Sequence, residues 1–358
     1  MKRLIKLCVV GGLCVSPYAM AEVSLEKLTY WHEWILARPQ WGDVVATYQD
    51  NNTLDGMYGR GWCAAVHVPD EKREYTGLHV ELEQSLSYRG QTVVQRRCGT
   101  SQQNGRELVF SPTPQTLQLL GSRSVEDYLK SAPTGQALKF TQQWAPKGPA
   151  EMVVTPSETV IRQPATARPK LVFNAAGELT SIGPMLVVRN GDKRVASLRE
   201  GDADIVTFKY GSTGHVDTFT TSENYQASFR YNAGGQQVWH QNAWNKQYTF
   251  EYNPLGHLQS AAWPDGSQIS LFYNGGTGKL TGFLERDGVM ETYRVIQGDG
   301  QTEFRVLATR TKSGTKESEL DARYWYDKDG LLEKAFVQQR DKNGHDTVLD
   351  TDYSQQVN

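Results

Sequence analysis

The chain has 358 residues, with 38 Lys plus Arg, 40 Asp plus Glu, 10% aromatic residues and 33 glycines. That length and composition are enough to bury a core in one large domain or two smaller ones. A net charge of −2 and a pI near 6.4 give no general attraction to phosphate backbones, so a nucleic-acid partner is not expected.

Residues 1–21 have the three parts of a cleavable secretory signal. A cationic start is followed by an apolar run from Leu7 to Val15 and by the small-residue end Ala19-Met20-Ala21. A membrane anchor needs about 20 apolar residues, whereas Ser16 and Pro17 interrupt this run early. The sequence therefore predicts a periplasmic or secreted protein with no membrane span after signal cleavage.

Two cysteines remain after that cleavage, because Cys8 and Cys14 belong to the signal. In an oxidising compartment, Cys63 and Cys98 predict one disulfide, which would contribute roughly 4 kcal/mol in the chain-entropy model. The alternative is a catalytic or metal-binding thiol, but neither cysteine belongs to a C-x-x-C pair.

Residues 22–40 are predicted to form an N-terminal helix that covers a sheet. Ser24 can cap it and Pro39 can end it, and the apolar stripe consists of Leu25, Leu28, Ile35 and Leu36. His32-Glu33 resembles the start of a zinc-protease motif, but Leu36 stands where the second histidine is required. His32 is therefore interpreted as a packed histidine.

The next two regions differ in their proline content. Residues 41–145 alternate between apolar and polar positions and predict a β-rich region, with one helix at Val125 to Lys130 capped by Ser124 and Asp127. Residues 146–170 carry five prolines, which cannot donate to a central ladder, so this segment is predicted as a boundary or an irregular edge.

Residues 171–335 contain a repeat with a period of 21 residues. Its defining tyrosines and turn glycines are Tyr210 with Gly214, Tyr231 with Gly235, Tyr252 with Gly256, and Tyr273 with Gly278. Degenerate copies end at Gly177 and Gly330. In Asn253-Pro254-Leu255-Gly256 the residue types suit a type I turn whose glycine closes a hairpin with a bulge. Each repeat is therefore predicted to be a β-hairpin that needs its neighbours to bury one face.

The period, the tyrosine followed by Asn or Asp, and the glycine turn resemble the YD repeats of the Rhs family. The segment Tyr58-Gly59-Arg60-Gly61-Trp62 also resembles the glycine-tryptophan motif of that family, so the likeness covers about residues 41–335. The resemblance implies a large twisted antiparallel sheet of hairpins. In large members that sheet encloses a toxin, and related repeats are linked to carbohydrate binding. Here the repeats are too few to enclose a toxin, and residues 336–358 are expected to be a polar C-terminal tail.

No catalytic residue, metal ligand or cofactor is predicted. The chain lacks a Gly-x-Ser-x-Gly elbow, and its seven histidines are scattered without ligand spacing. Four aromatic residues lie outside the repeat tyrosines and suit stacking on sugars or anchoring a protein partner; they are Trp239, Trp244, Tyr248 and Trp263. The alternative is that they fill the sheet interior and the turns, and Trp244 is the one expected to be exposed.

These features favour an exported, non-catalytic YD-repeat protein that acts as a binding or scaffold module in the cell envelope. Its expected partner is an envelope protein or glycan, or a protein of a toxin system in which it serves as an accessory or immunity partner. A carbohydrate-binding surface protein and an envelope glycan hydrolase are the alternatives. Two carboxylates about 5 to 9.5 Å apart in one pocket would favour the hydrolase.

Overall fold

The computed structural model describes residues 21–25, 28–50, 54–68, 78–101, 105–131, 136–142, 149–162, 170–297, 303–326 and 332–352. These residues form thirty strands and two short helices, which confirms the predicted mainly β fold. Neither helix in these ranges has the length and hydropathy needed to cross a membrane. The predicted signal, apart from Ala21, and the repeat turn at Gly330 lie outside the described residues.

The strands before the first helix are β1 (Ala21–Ser24), β2 (Thr29–Ala37), β3 (Asp43–Gln49), β4 (Asp55–Gly56), β5 (Gly59–Arg60), β6 (Trp62–Val68), β7 (Leu78–Glu81), β8 (Ser85–Arg89), β9 (Thr92–Ser101) and β10 (Gly105–Pro112). The helices are α1 (Pro114–Leu120) and α2 (Val125–Ser131).

The strands that follow the helices, up to residue 246, are β11 (Leu138–Gln142), β12 (Glu151–Val154), β13 (Glu158–Arg162), β14 (Leu171–Asn174), β15 (Leu179–Ile182), β16 (Met185–Arg189), β17 (Val195–Glu200), β18 (Ala203–Tyr210), β19 (Val216–Thr221), β20 (Gln226–Tyr231) and β21 (Gln237–Gln241). The remaining strands are β22 (Gln247–Tyr252), β23 (Leu258–Ala262), β24 (Gln268–Tyr273), β25 (Leu280–Leu284), β26 (Val289–Gln297), β27 (Glu303–Lys312), β28 (Thr315–Tyr326), β29 (Leu332–Asp341) and β30 (Asp346–Asp352).

The chain divides into two compact units, a larger one at residues 32–246 and a smaller one that includes residues 21–31 and 247–352. In the larger unit β2, β3, β6 and β7 form one sheet, and β8 to β21 form a ladder of consecutive antiparallel neighbours. In the smaller unit β22 to β30 are also consecutive antiparallel neighbours. Tyr30 packs against Phe283 there, with ring centroids 5.6 Å apart.

Aromatic side chains form the core of the larger unit. The rings of Trp34 on β2 and Trp62 on β6 lie 4.9 Å apart, and His240 on β21 lies 6.4 Å from each of them. Buried aromatic side chains such as these are a main source of stability in a β protein. The Cys63–Cys98 disulfide is present, as predicted, and it joins β6 to β9.

The repeat hairpins have the predicted turn chemistry. In one of them Asn253 Oδ1 accepts hydrogen bonds from the backbone N–H groups of Leu255 and His257, each at 3.0 Å. Gly256 then takes a φ of +86°, which a residue with a Cβ rarely adopts. The strand register shifts at Tyr252, so the hairpin closes with the expected bulge.

The repeat tyrosines have a role that the sequence did not predict. The hydroxyl groups of three of them donate to a backbone carbonyl 15 residues earlier. The pairs are Tyr210 with Val195 at 2.8 Å, Tyr231 with Val216 at 2.7 Å and Tyr273 with Leu258 at 2.9 Å. Each hydroxyl therefore ties the end of its own hairpin to the preceding one, which explains why tyrosine rather than phenylalanine recurs.

The predicted N-terminal helix at residues 22–40 is wrong. Residues 29–37 form the strand β2, whose two faces are both largely buried. A strand covered on both faces is apolar almost throughout, and its pattern can be mistaken for a helical stripe. The β-branched and aromatic residues of this segment, such as Thr29, Tyr30 and Trp34, favour a strand.

The sequence predicted one of the two helices. Helix α2 is capped as predicted, because the backbone N–H of Asp127 donates to Ser124 Oγ at 3.1 Å. Helix α1 was not predicted; Thr113 caps it and Pro114 occupies its first turn, a position at which proline favours a helix.

Residues 336–352, predicted as polar tail, contain most of β29 and all of β30. The outward residues of that hairpin account for the polar composition.

Candidate functional site

A cavity of about 400 Å³ lies in the larger unit, where the ends of several ladder hairpins meet the short hairpin β4–β5. Residues at the turns between β16 and β17 and between β18 and β19 form one side, and the link from β7 to β8 forms another. Loops held by a rigid scaffold often carry binding residues, so side chains from these turns can contact one ligand.

The hairpin β4–β5 is held against the ladder by backbone contacts. Arg60 N–H donates to the carbonyl of Gly235 at 3.0 Å, and Val216 N–H donates to that of Met57 at 2.8 Å. Gly59 has a φ of +95°, and a Cβ there would lie 2.6 Å from the Gly235 carbonyl oxygen. The glycine is therefore required for this close approach. Gly59 and Arg60 belong to the segment that resembles the Rhs glycine-tryptophan motif, and they hold in place the hairpin β4–β5, which forms one wall of the cavity.

Glu83 is an acid of the cavity whose side chain is half-buried. Its Oε1 accepts a hydrogen bond from Met57 N–H at 2.8 Å, and its Oε2 is buried without a hydrogen-bond partner among the described residues. Burial raises the pKa of this carboxyl to about 7, against the opposing effects of backbone hydrogen bonds and of Arg189. Near neutral pH the group is therefore poised between its acid and its carboxylate.

Three cationic side chains line the same cavity: Arg189, Lys193 and Arg194. Arg189 donates to the carbonyls of Lys193 and Leu179, and its Nε is buried without a partner among the described residues. The Arg194 guanidinium lies 5.4 Å from the centre of the Tyr210 ring. Within the described part of the chain, none of the three cations forms an ion pair with a carboxylate.

The acids of the cavity have partners of their own. Asp55 Oδ1 lies 2.7 Å from Nε2 of His215, and Glu178 accepts from the side-chain amide of Asn174 at 2.9 Å. Three acids, Asp55, Glu83 and Glu178, thus line the cavity together with the three cations, and Asp55 and Glu178 are held by contacts that do not involve those cations. An anionic group is the ligand chemistry that this arrangement favours.

The four aromatic residues predicted as ligand contacts lie in different units. In the larger unit, Trp244 is 44% exposed, as expected, whereas Trp239 is half-buried under Arg230, whose guanidinium lies 4.5 Å from its ring. In the smaller unit, Tyr248 and Trp263 have ring centroids 6.3 Å apart, and Arg286 covers Trp263 at 4.6 Å. Their binding role stays a prediction.

Two histidines that sequence spacing separated are brought together. His67 and His79 face each other on β6 and β7, and both contact Glu33. Burial lowers the pKa of His67, but hydrogen bonds and charges from Asp43 and Glu33 outweigh it and raise that pKa to about 9. The sequence did indicate that these two histidines could be paired, since Val66-His67-Val68 and Leu78-His79-Val80 each place one histidine between apolar residues of a strand.

Comparison with known proteins shows structural similarity alone. No protein-family model and no curated protein matches the chain. Similar solved structures include TcdB2-TccC3, at 11% identity over 92% of this chain and 22% of that chain, with a TM-score of 0.33. A Tc holotoxin pore from Photorhabdus luminescens has 10% identity over 90% of this chain and 20% of that one, with a TM-score of 0.29. The chain spans about a fifth of the length of these structures, and similarity at this level does not identify its function.

Proposed function

We propose that the chain is an exported, non-catalytic YD-repeat binding module, and that the cavity beside Glu83 takes an anionic group of its ligand. The observation that carries this proposal is that Arg189, Lys193 and Arg194 line one cavity and that, among the described residues, none of them forms an ion pair with the acids that also line it. Cationic side chains without an ion pair can donate charge-assisted hydrogen bonds to an anionic group of a ligand.

An acidic sugar is the ligand class that we propose. A guanidinium matches a carboxylate in charge and in planar geometry, and the Tyr210 ring beside Arg194 offers an apolar surface of the kind that packs on sugar rings. A volume of about 400 Å³ is within the usual range of small-ligand sites. The expected partner is therefore an acidic glycan of the cell envelope.

The compartment and the wider role belong to the same proposal. The signal sequence supports a periplasmic or secreted location, and the disulfide is consistent with an oxidising compartment. The repeats support a scaffold role as an accessory or immunity partner in a toxin system, through the resemblance of their sequence to YD repeats. In that role, the glycan would hold the module at the cell surface.

An envelope glycan hydrolase is the second candidate, and one observation favours it. Glu83, whose pKa is raised to about 7, lines the cavity together with Asp55, and a glycosidase needs a protonated and an ionised carboxyl group. Against this, Glu83 accepts from the Met57 backbone and has a buried Oε2, while Asp55 is committed to His215. Glu83 is thereby held by the turn of the hairpin β4–β5, and Asp55 by the turn between β18 and β19, which favours the binding function.

The test is equilibrium binding of the exported protein to oligosaccharides matched in length, with uronic acids in one set and neutral sugars in the other. We expect binding to the acidic set, weakened by added salt, and acidic sugars recovered intact by mass spectrometry after long incubation. Equal binding of both sets, or no binding, would overturn the anionic site. Shortened acidic products would establish the hydrolase instead.

A further inference from the structure

A row of polar side chains crosses one face of the sheet β2-β3-β6-β7. Successive residues of a strand point to opposite faces, so Glu33 faces away from the core that contains His32 and Trp34. In register across the sheet, Asp43 on β3 pairs with His67 on β6, which pairs with His79 on β7. The carboxylate of Glu33 on β2 and the imidazoles of His67 on β6 and His79 on β7 thus lie together.

The ligand atoms of Glu33, His67 and His79 all lie within 4.8 Å of one another. His79 Nδ1 is 2.9 Å from Glu33 Oε2, and His67 Nε2 is 3.1 Å from Glu33 Oε1. Zn²⁺ binds imidazole nitrogen and carboxylate oxygen at about 2.0–2.2 Å, so ligand atoms around a tetrahedral ion are roughly 3.3–3.6 Å apart. The three groups are therefore close to the spacing that the ion requires.

A second layer of carboxylates faces the other nitrogen of each ring. Asp43 Oδ2 lies 3.8 Å from His67 Nδ1, and Glu81 Oε1 lies 3.9 Å from His79 Nε2. The Glu81 side chain is fully buried, and His79 Nε2 is buried without a hydrogen-bond partner among the described residues. An ion on Nδ1 would fix the proton on Nε2, which would then be directed at Glu81. Metal-bound histidines are usually oriented by such carboxylates.

We propose that Glu33, His67 and His79 form a binding site for one divalent transition-metal ion, with Zn²⁺ as the best-matched ion. Two imidazoles and one carboxylate suit zinc better than magnesium or calcium, which prefer oxygen ligands. Three protein ligands leave a fourth position for water or another ligand. The His67 and His79 side chains are 22% and 21% exposed, so an ion can enter from solvent.

The experiment is calorimetric titration of the exported, EDTA-treated protein with Zn²⁺. We expect one ion per chain, and we expect affinity to fall at least about 10-fold in His79→Gln and by about 10- to 100-fold in Asp43→Asn, since outer carboxylates have effects of that size. The control is His345→Gln, because His345 pairs with Asp341 at 3.3 Å on the exposed end of the chain. Its affinity should equal that of the wild type.

No stoichiometric binding by the wild type, or binding by His79→Gln equal to that of the wild type, would overturn the site. Circular dichroism in EDTA checks that each variant is folded. If the histidine variants fail to fold, the visible spectrum of Co²⁺ added to the wild-type protein decides the question. Intense bands of a tetrahedral ion support the site, and the weak spectrum of a hydrated octahedral ion contradicts it.

Discussion

Glu83 shows how one half-buried carboxyl group couples the cavity to pH. Burial has the largest effect and raises the pKa of its carboxyl, backbone hydrogen bonds and the charge of Arg189 lower that pKa, and the charge of Asp55 raises it. The sequence could not indicate this, because Glu83 is one of 40 acidic residues and its burial depends on how the hairpin β4–β5 docks. Residues such as Cys63 and Cys98 could be assigned because few alternatives existed.

We expect Glu83→Gln to change how stability depends on pH. Since the pKa is raised from 4.5 to about 7 on folding, the folded protein binds more protons than the unfolded chain between those values. The acid therefore stabilises the wild type fully below pH 4.5, and this contribution is lost as the pH rises to about 7. The loss is about 3 kcal/mol.

The measurement for this variant is urea unfolding of both proteins at pH 5 and pH 8. Glutamine remains neutral, so the variant should gain stability relative to the wild type at pH 8. Comparing the two proteins cancels the titration of all other groups. An equal difference in stability at both pH values would show that folding does not raise the pKa of Glu83.

Trp244 and Trp62 should respond in opposite ways to replacement by alanine. Trp244 is 44% exposed and Trp62 is fully buried, so we expect Trp244→Ala to change stability by less than about 0.5 kcal/mol and Trp62→Ala to cost about 3–5 kcal/mol. Thermal melting measures both. Glycan binding by Trp244→Ala also tests its predicted ligand role, which requires weaker binding in a protein that melts normally.

At the scale of elements, the repeat hairpins were predictable and β2 was not. A repeat turn is specified locally, because a hydrogen bond from the Gly256 N–H to the Asn253 carbonyl closes it within four consecutive residues. The identity of β2 depends on distant partners that bury both of its faces, so local periodicity did not distinguish strand from helix. The site elements fall in this second class, since Glu33, His67 and His79 meet only through strand register.

We expect Gly256→Val to destabilise the protein by about 1–2 kcal/mol or more, because a β-branched residue resists a φ of +86°. Gly275→Val is the matched control: it belongs to the next repeat turn, its φ is not in the left-handed region, and a Cβ there meets nothing within 4 Å. Denaturant unfolding should therefore separate the two variants. Equal stabilities would refute the role assigned to the turn glycine.

At the scale of the whole molecule, export and oxidation can be checked together. We expect the exported protein to lack residues 1–21 and to carry no alkylated thiol unless it is first reduced, because Cys63 and Cys98 are bonded to each other and the other two cysteines belong to the predicted signal. Intact-mass spectrometry with and without reduction gives both answers. Two alkylated cysteines in the unreduced sample, or a mass that retains the signal, would contradict this account.

The central claim is that unpaired cations in the cavity recognise an anionic ligand, and calorimetric titration of cavity variants with an oligouronic acid tests it most directly. Arg194→Ala removes a cation from the cavity, whereas Lys209→Ala removes one from the exposed face of β18, outside the cavity. We predict about a 10-fold or greater loss of affinity for Arg194→Ala, as for loss of one charge-assisted contact, and wild-type affinity for Lys209→Ala. Equal affinities in the two variants would contradict the claim.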